Sequence, residues 1–258
     1  MSVGENFLTD NPALYEHQFP DPDHVAARWV HDVVTRFGGG GTLLDIGSGT
    51  GRDAGWLARN GYHVVGLDSS ERMVTYAREH HRAQFVLGDM RTFALDRSFD
   101  VITCLDSAFL YCHANADLTA FLQRCRDHLT PGGLLVAEMR NGAFFLGNTE
   151  LLDGVRTRTV EWEGVPYTSR TELWIDHAAQ LLRRRREWTW PGAPPLVQRS
   201  AWRLLFPLEL RHLLDLAGFE VLALFDGPGP RTDEPWSPDA RLSEALSGDR
   251  LHVVARRL

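Results

Sequence analysis

The sequence predicts an α/β fold: a doubly wound, mostly parallel sheet of seven strands carrying an antiparallel β cap. Three observations carry that expectation. The first half repeats one grammar, a short apolar strand and then an amphipathic helix, which is the pattern of parallel βαβ units. From about Val155 the grammar changes to long alternating runs of Thr, Val, Arg and Trp without helical spacing. After residue 206 the helix and strand grammar returns and completes the sheet.

The parallel strands are expected at 43–46, 63–67, 84–87, 100–105 and 134–139, with helices near 51–59, 71–80 and 118–129. The punctuation fits. Asn60-Gly61 closes one helix, Ser70 caps the next, and Thr130-Pro131-Gly132-Gly133 turns the chain into the fifth strand. "VRTRTVEWEGVPYTSRTELWID" and "AQLLRRRREWTW" read as antiparallel strands joined by turns at Glu163-Gly164 and Asp176-His177, and "SAWRLLF" adds another. A helix at 208–216, a strand at 219–225 and a last strand at 252–256 follow, with the Pro- and Gly-rich "DGPGPRTDEPWSPD" as a loop before the last. The expected organisation is a ligand-binding core of residues 1–154 and 207–258, with 155–206 inserted after strand five as a substrate-side cap.

Composition narrows the function. The formal charge of −7 opposes a polyanionic partner, since phosphate contacts need clustered Lys and Arg. The one such cluster, 183–186, alternates faces if it lies in a strand, two side chains up and two down. A solvated outer face is the plain expectation for it and a phosphate-bearing substrate its rival. No apolar run approaches the roughly 20 residues a membrane span needs, and the acidic "MSVGENFLTDNPALYEHQFPDPD" lacks a signal-peptide profile. Cys104, Cys112 and Cys125 show no paired metal-ligand spacing and read as reduced, buried thiols in a cytoplasmic protein.

"TLLDIGSGTG" at 42–51 holds the chemistry. A triphosphate loop needs Lys-Ser/Thr after its glycines, and here Arg52-Asp53 follows Gly51. The dinucleotide fingerprint needs a sixth-position glycine where this chain has Arg52, which weakens that reading without excluding it. A G-x-G-x-G loop still lets a ligand approach the backbone closely and suits a nucleoside with an amino-acid tail.

"LLDIGSGTG" resembles the first motif of class I S-adenosylmethionine-dependent methyltransferases, and "VVGLDSS", "VLGDMRTF", "FDVITCLDSAFLY" and "LTPGGLLVAEM" resemble the four that follow in that family. The resemblance covers residues 42–139. It implies a Rossmann-like methyltransferase fold and S-adenosylmethionine as cofactor. It also implies cofactor contacts from Asp45, Gly47, Ser48 and Gly49 in the loop; Asp68 on the ribose hydroxyls, with Ser69 and Met73 beside it; Asp89 on the adenine amino group with Met90 lining the base; and Leu105 by the methionine portion. "NPALYEHQF" resembles the segment of amino-sugar and glycine or sarcosine N-methyltransferases in which a helix folds over the cofactor, so Tyr15 is expected at the methyl-transfer site. Arg28, on the next helix, is expected to pair the cofactor carboxylate.

On the acceptor side, Asp106, Ser107, Tyr111 and His113 fall on the loop after the fourth strand that faces the methyl group in such folds. His113 is the first candidate base, because imidazole titrates near neutrality, and Tyr111 is a second catalytic candidate. Glu138, Arg140 and Asn141 end strand five at the carboxyl edge of the sheet, where ligands of doubly wound folds collect. Trp174 and Trp188 line an acceptor pocket or a subunit interface, or else pack the cap. Transfer to an amine of a small molecule in specialised metabolism, such as antibiotic biosynthesis, is the expected activity. No metal, nucleic acid or membrane is expected, and homo-oligomerisation stays open. The fourth strand ends in Leu105-Asp106-Ser107-Ala108 and not in the Asn/Asp-Pro-Pro-aromatic clamp of DNA amino-methylation. The rivals are O- or C-methylation of a small molecule and a cofactor-binding homologue that transfers nothing.

Overall fold

The computed structural model describes residues 7–147, 150 and 152–258. Its parallel strands are β1 (Thr42–Ile46), β2 (His63–Asp68), β3 (Gln84–Leu87), β4 (Phe99–Cys104) and β5 (Leu129–Arg140), joined later by β10 (Phe219–Phe225) and β11 (Arg250–Arg257). They form one seven-stranded sheet in the order β10-β11-β5-β4-β1-β2-β3. Only β11 runs against its neighbours, pairing antiparallel with both β10 and β5.

Both faces of this sheet are covered, which is why its strands are near-continuous apolar runs. Alternation along β1 shows the division: Leu44 and Ile46 join one buried cluster and Leu43 the other. On the first face lie α5 (Asn115–His128), through Leu118, Phe121, Leu122 and Cys125, and α6 (Pro207–Leu216), through Leu210 and Leu214. The second face takes α2 (Val25–Phe37), α3 (Arg52–Arg59) and α4 (Glu71–His80). Ser70 caps α4 by accepting from Met73 N. Cys104, Cys112 and Cys125 are free and buried in the first cluster.

The expected turn at 130–133 is absorbed into β5 as an irregular start. The pairing with β4 jumps from Phe99↔Leu129 to Val101↔Leu134, and Gly132 takes φ +78° to let the extra residues bulge out.

The second sheet has four strands in sequence order, β6 (Arg156–Trp162), β7 (Val165–Asp176), β8 (Leu181–Thr189) and β9 (Leu196–Arg203), all antiparallel. β9 begins and ends earlier than "SAWRLLF" suggests. Leu204 and Leu205 leave the ladder to enter two buried clusters, and Phe206 becomes the residue before α6. A short helix, α1 (Pro12–Gln18), lies between the sheets: Leu14 shares a buried cluster with Leu8 and Trp188 of β8.

Candidate active site

The glycine loop follows β1 and is fastened by backbone. The amides of Gly47 and Ser48 donate to the Leu67 carbonyl at 2.7 and 3.1 Å, and that of Gly49 donates to Asp68 Oδ2 at 2.8 Å. Gly47 stands at φ +74°, and a Cβ there would lie 2.7 Å from the Ala108 methyl, so a larger residue would push the loop off the turn after β4. Gly49, at φ +54°, is different. Nothing lies within 4 Å of where its Cβ would stand, so the loop is open at that point. Asp68 Oδ1 accepts from Ser70 N at 2.8 Å, and with Ser69 N also on the carboxylate the two oxygens keep acceptor capacity for a further donor. Ser69 beside it is exposed, and Met73 is buried beneath.

α1 is latched to this loop. Glu16 accepts from the Thr50 hydroxyl and from Arg52 Nη1 at 3.3 Å, while Arg52 Nη1 also donates to the Phe19 carbonyl at 2.8 Å. The latch sets Tyr15 over the end of β4, where its hydroxyl reaches Asp106 Oδ2 at 3.4 Å. Burial, then the Asp106 charge, raise the Tyr15 phenol, so it stays protonated at neutral pH. Arg28 does not join this group. It is exposed on α2, off the face formed by Ala26, Ala27, Trp29 and Val30, so the residue following the glycine loop, Arg52, holds the position by α1 instead.

Asp106 and Ser107 occupy left-handed backbone at φ +49° and +61°, unusual for two consecutive residues with side chains. The fully buried Glu138 holds them there. Its Oε2 accepts from Asp106 N at 2.9 Å and from Arg231 Nη1 at 3.0 Å, its Oε1 accepts from Arg250 Nη1 at 3.1 Å, and its carbonyl accepts from Ser107 N at 3.1 Å. Arg231 closes the circuit with Nε 3.0 Å from Asp106 Oδ1. Arg231 sits in the Pro- and Gly-rich loop, whose sequence shows turns and carries no sign of a site residue. Arg140 N donates to Ser107 Oγ at 3.1 Å, and its guanidinium, desolvated and near Arg250, is depressed from its usual range.

Two further carboxyls complete the floor. Asp45 is buried, accepts from the Thr103 hydroxyl at 2.7 Å, and is pushed up to about 7, chiefly by burial. Its hydrogen-bond partner Thr103 is its register partner on β4, and the Asp53 and Asp68 charges add to the rise. Asp53 Oδ1 is buried with no hydrogen-bond partner, and Arg52 Nε approaches no closer than 4.0 Å. Leu105 is buried beside this floor in the second cluster.

The remaining candidates separate. Asp89 is taken up by Arg91, whose Nε and Nη2 donate to its two oxygens at 2.9 and 2.5 Å, and Met90 packs against Cys112 at 3.7 Å. The His113 ring hydrogen-bonds through Nε2 to the Ala201 carbonyl at 2.9 Å, tying the loop after β4 to β9. That bond commits one ring nitrogen to structure and brings His113 into no contact with Tyr15 or Asp106 among the described residues. Tyr111 lies 6.2 Å, ring to ring, from Trp202, and burial raises its phenol. Trp174 is 43% exposed: it pairs with Arg183 on the outer face of the cap, because strand alternation sends Trp188 inward and Trp174 outward. Trp188 is buried against Phe7, ring to ring 5.0 Å. Among the described residues no cluster of three His, Cys, Asp or Glu could hold a metal, and no helix is long and apolar enough to cross a membrane.

Residues 43–133 match the family described as a methyltransferase domain. A dTDP-3-amino-3,6-dideoxy-α-D-glucopyranose N,N-dimethyltransferase from Streptomyces fradiae is 38% identical over 98 residues, 38% of this chain and 38% of that protein. The chain therefore matches less than half the length of that relative. Two solved structures align nearly throughout. A sugar N-methyltransferase from Streptoalloteichus sp has a TM-score of 0.75 at 24% identity, over 100% of this chain and 94% of that one. An amino pentose methyltransferase from Micromonospora echinaspora, involved in calicheamicin biosynthesis, has a TM-score of 0.71 at 24% identity over 95% of each. The fold is thus that of Rossmann-like S-adenosylmethionine-dependent methyltransferases.

Proposed function

We propose that the chain transfers a methyl group from S-adenosylmethionine to an amine of a small molecule, in specialised-metabolite biosynthesis. One observation carries the reading: a neutral phenol and a carboxylate, Tyr15 and Asp106, meet at the strained end of β4 beside the open side of the glycine loop. The residues fit the cofactor. Asp68 keeps acceptor capacity for hydroxyls, Gly49 leaves room, and Asp53 Oδ1 is a buried acceptor in want of a donor such as an ammonium group. When bound, S-adenosylmethionine supplies a sulfonium methyl, an electrophile open to in-line displacement.

The chain's part is mainly positioning. Asp106 Oδ2 accepts an N–H of the incoming amine, orients its lone pair, and takes up the proton released when the N–C bond forms. Tyr15, held protonated, donates and does not act as base. Arg231 and Glu138 act through Asp106 as positioning residues. Asp89, engaged by Arg91, holds the adenine through its remaining lone pairs. Amine transfer is favoured over O-methylation because the histidine expected as base is tied to Ala201, and an alcohol asks more of a base than an amine does. A small molecule as partner and a cytoplasmic setting accompany this reading, supported by the acidic charge and the unpaired buried thiols.

A labelled-methyl assay over a panel of amines, alcohols and phenols, read by mass spectrometry, tests it. Label on nitrogen is expected, with Asp106→Asn lowering kcat about 100-fold and leaving S-adenosylhomocysteine affinity within twofold, as loss of a proton acceptor costs. Label only on oxygen or carbon, or none with any acceptor, overturns it.

A further inference from the structure

A recess distinct from the site at the end of β4 lies against the start of α1. Its volume is about 420 Å³, the scale of a small-molecule site. Five aromatic rings line it: Phe7 ahead of α1, Tyr76 of α4, Trp162 of β6, Tyr167 of β7 and Trp190 just after β8. Phe7, Tyr167 and Trp190 touch one another, with ring centroids 5.0, 5.6 and 5.8 Å apart, and all five rings are half-buried. The rest of the wall is the first turn of α1 and the residues just before it. No residue of the glycine loop and none at the end of β4 lines the recess.

The strand pleat gathers these rings. Trp162 shares its face of β6 with Val160, which is the register partner of Tyr167, and Trp190 meets Tyr167 from the end of β8. Asn11 Nδ2 donates to the Phe7 carbonyl at 2.6 Å and fixes the turn that carries Phe7 in. Asp10 supplies the only charged side chain of the lining, where no Lys, Arg or His stands. Ring faces are electron-rich, and the carboxylate adds a full charge, so a partly desolvated recess of this kind attracts a cation. A bare metal ion would find too few oxygen ligands there. A primary ammonium would give up hydrogen bonds to water that rings do not replace. A nitrogen cation already clothed in methyl groups loses least on entry and gains most from the ring surfaces.

We propose that this recess is a second binding site, for a methylated ammonium ion, and that its occupation tightens the hold on the cofactor. The coupling follows from α1. A helix of 7 residues is too short to be stable alone, so contacts at its two ends set its place. Its start forms a wall of the recess, and near its other end Glu16 accepts from Thr50 and Arg52 at the glycine loop. A ligand seated against the start steadies the helix, and the glycine-loop contacts gain by the same amount.

The coupling rests on the cofactor reading above, the recess itself does not, and the test keeps the two apart. The full chain is titrated by calorimetry with choline, with its uncharged isostere 3,3-dimethylbutan-1-ol and with ethanolamine, which lacks the methyl groups, each with and without S-adenosylhomocysteine. Choline is expected to bind, and the other two about tenfold more weakly. Trp190→Leu should weaken choline about tenfold and Asp10→Asn about threefold, whereas Trp174→Leu on the exposed face and Asp106→Asn at the reacting end should bind it as the parent does. S-adenosylhomocysteine and choline should each raise the other's affinity by one common factor, about threefold, and Glu16→Gln should bind choline but lose that exchange. No choline binding, equal binding of the uncharged isostere, or equal losses in Asp106→Asn and Asp10→Asn would each overturn the site, and independent binding of the two ligands would overturn the coupling. Should Trp190→Leu not fold, Asp10→Asn and the isostere still decide. Failure of S-adenosylhomocysteine to bind would count against the methyl-transfer reading and remove the coupling with it, while the choline titration of the unliganded chain still decides the recess.

Discussion

The end of β4 and the inward face of β8 handle their charges by opposite means. On the sheet side, the charges at the end of β4 are answered, Glu138 by Arg231 and Arg250 and Asp106 by Arg231, and the glycine loop is tied to the backbone of β2, while Asp53 Oδ1 is left without a hydrogen-bond partner. On the cap side, the inward arginines of β8 have no carboxylate partner among the described residues, Arg184 Nε being buried and unbonded, while the outward ones are paired. The difference shows how local charge compensation is: one strand pairs one parity of its arginines with carboxylates and leaves the other parity desolvated without them.

The largest effect that would break this comparison is expected at Glu138. Glu138→Gln leaves Arg231 and Arg250 facing a neutral amide in the interior. Destabilisation of about 3–5 kcal/mol is the usual scale for a broken buried ion pair, and it should appear in urea unfolding with loss of methyl transfer. A variant of parental stability would show the sheet wall to be less committed than its geometry implies.

The cap offers a matched pair of nearly the same size. Trp188, 1% exposed and packed against α1 through Leu14, should cost about 3–5 kcal/mol as Trp188→Ala. Trp174→Ala, on the exposed face, should stay within about 0.5 kcal/mol. Equal costs would mean that the outer face is covered, as by a second copy of the chain.

The smallest and most specific expectation concerns pH. Asp45 holds its proton to about 7 in the folded chain and loses it near the ordinary value, about 3.9, when unfolded. Between these values the folded state binds more protons, so this contribution is fully present below pH 4 and is lost as pH rises through 7. Burial raises Asp53 and Asp68 in the same direction. Asp45→Asn should therefore flatten, without abolishing, the fall in unfolding midpoint between pH 5 and pH 7.5. An unchanged slope would place the ionised Asp45 in a better-solvated setting than its burial indicates.

The glycine loop and the first four parallel strands were legible because their signals are local: apolar runs, glycine spacing and capping residues lie within a few positions of what they determine. Motif order alone put Tyr15 and Asp106 toward one end of the sheet, where the two side chains meet. Glu16, Arg231 and Arg250 were not legible, since each works by meeting a partner far along the chain: Glu16 meets Thr50 across 34 positions, and the two arginines meet Glu138 across 93 and 112. Only the completed fold brings such pairs together, and exposed loops are rich in arginines that do nothing of the kind. Arg28 illustrates the same point: the helix carrying it turns Ala26, Ala27, Trp29 and Val30 inward and leaves Arg28 exposed, which no local signal states.

By itself the sequence determined the doubly wound sheet, the antiparallel insertion and the loop that follows β1, because periodicity and glycine placement act through backbone sterics that need no distant partner. Even the split of the four arginines, two to each face, follows from strand alternation. Only the tertiary structure decided which pair met carboxylates and which was desolvated without them, because charge compensation depends on what packs across the gap and the sequence does not state what that is.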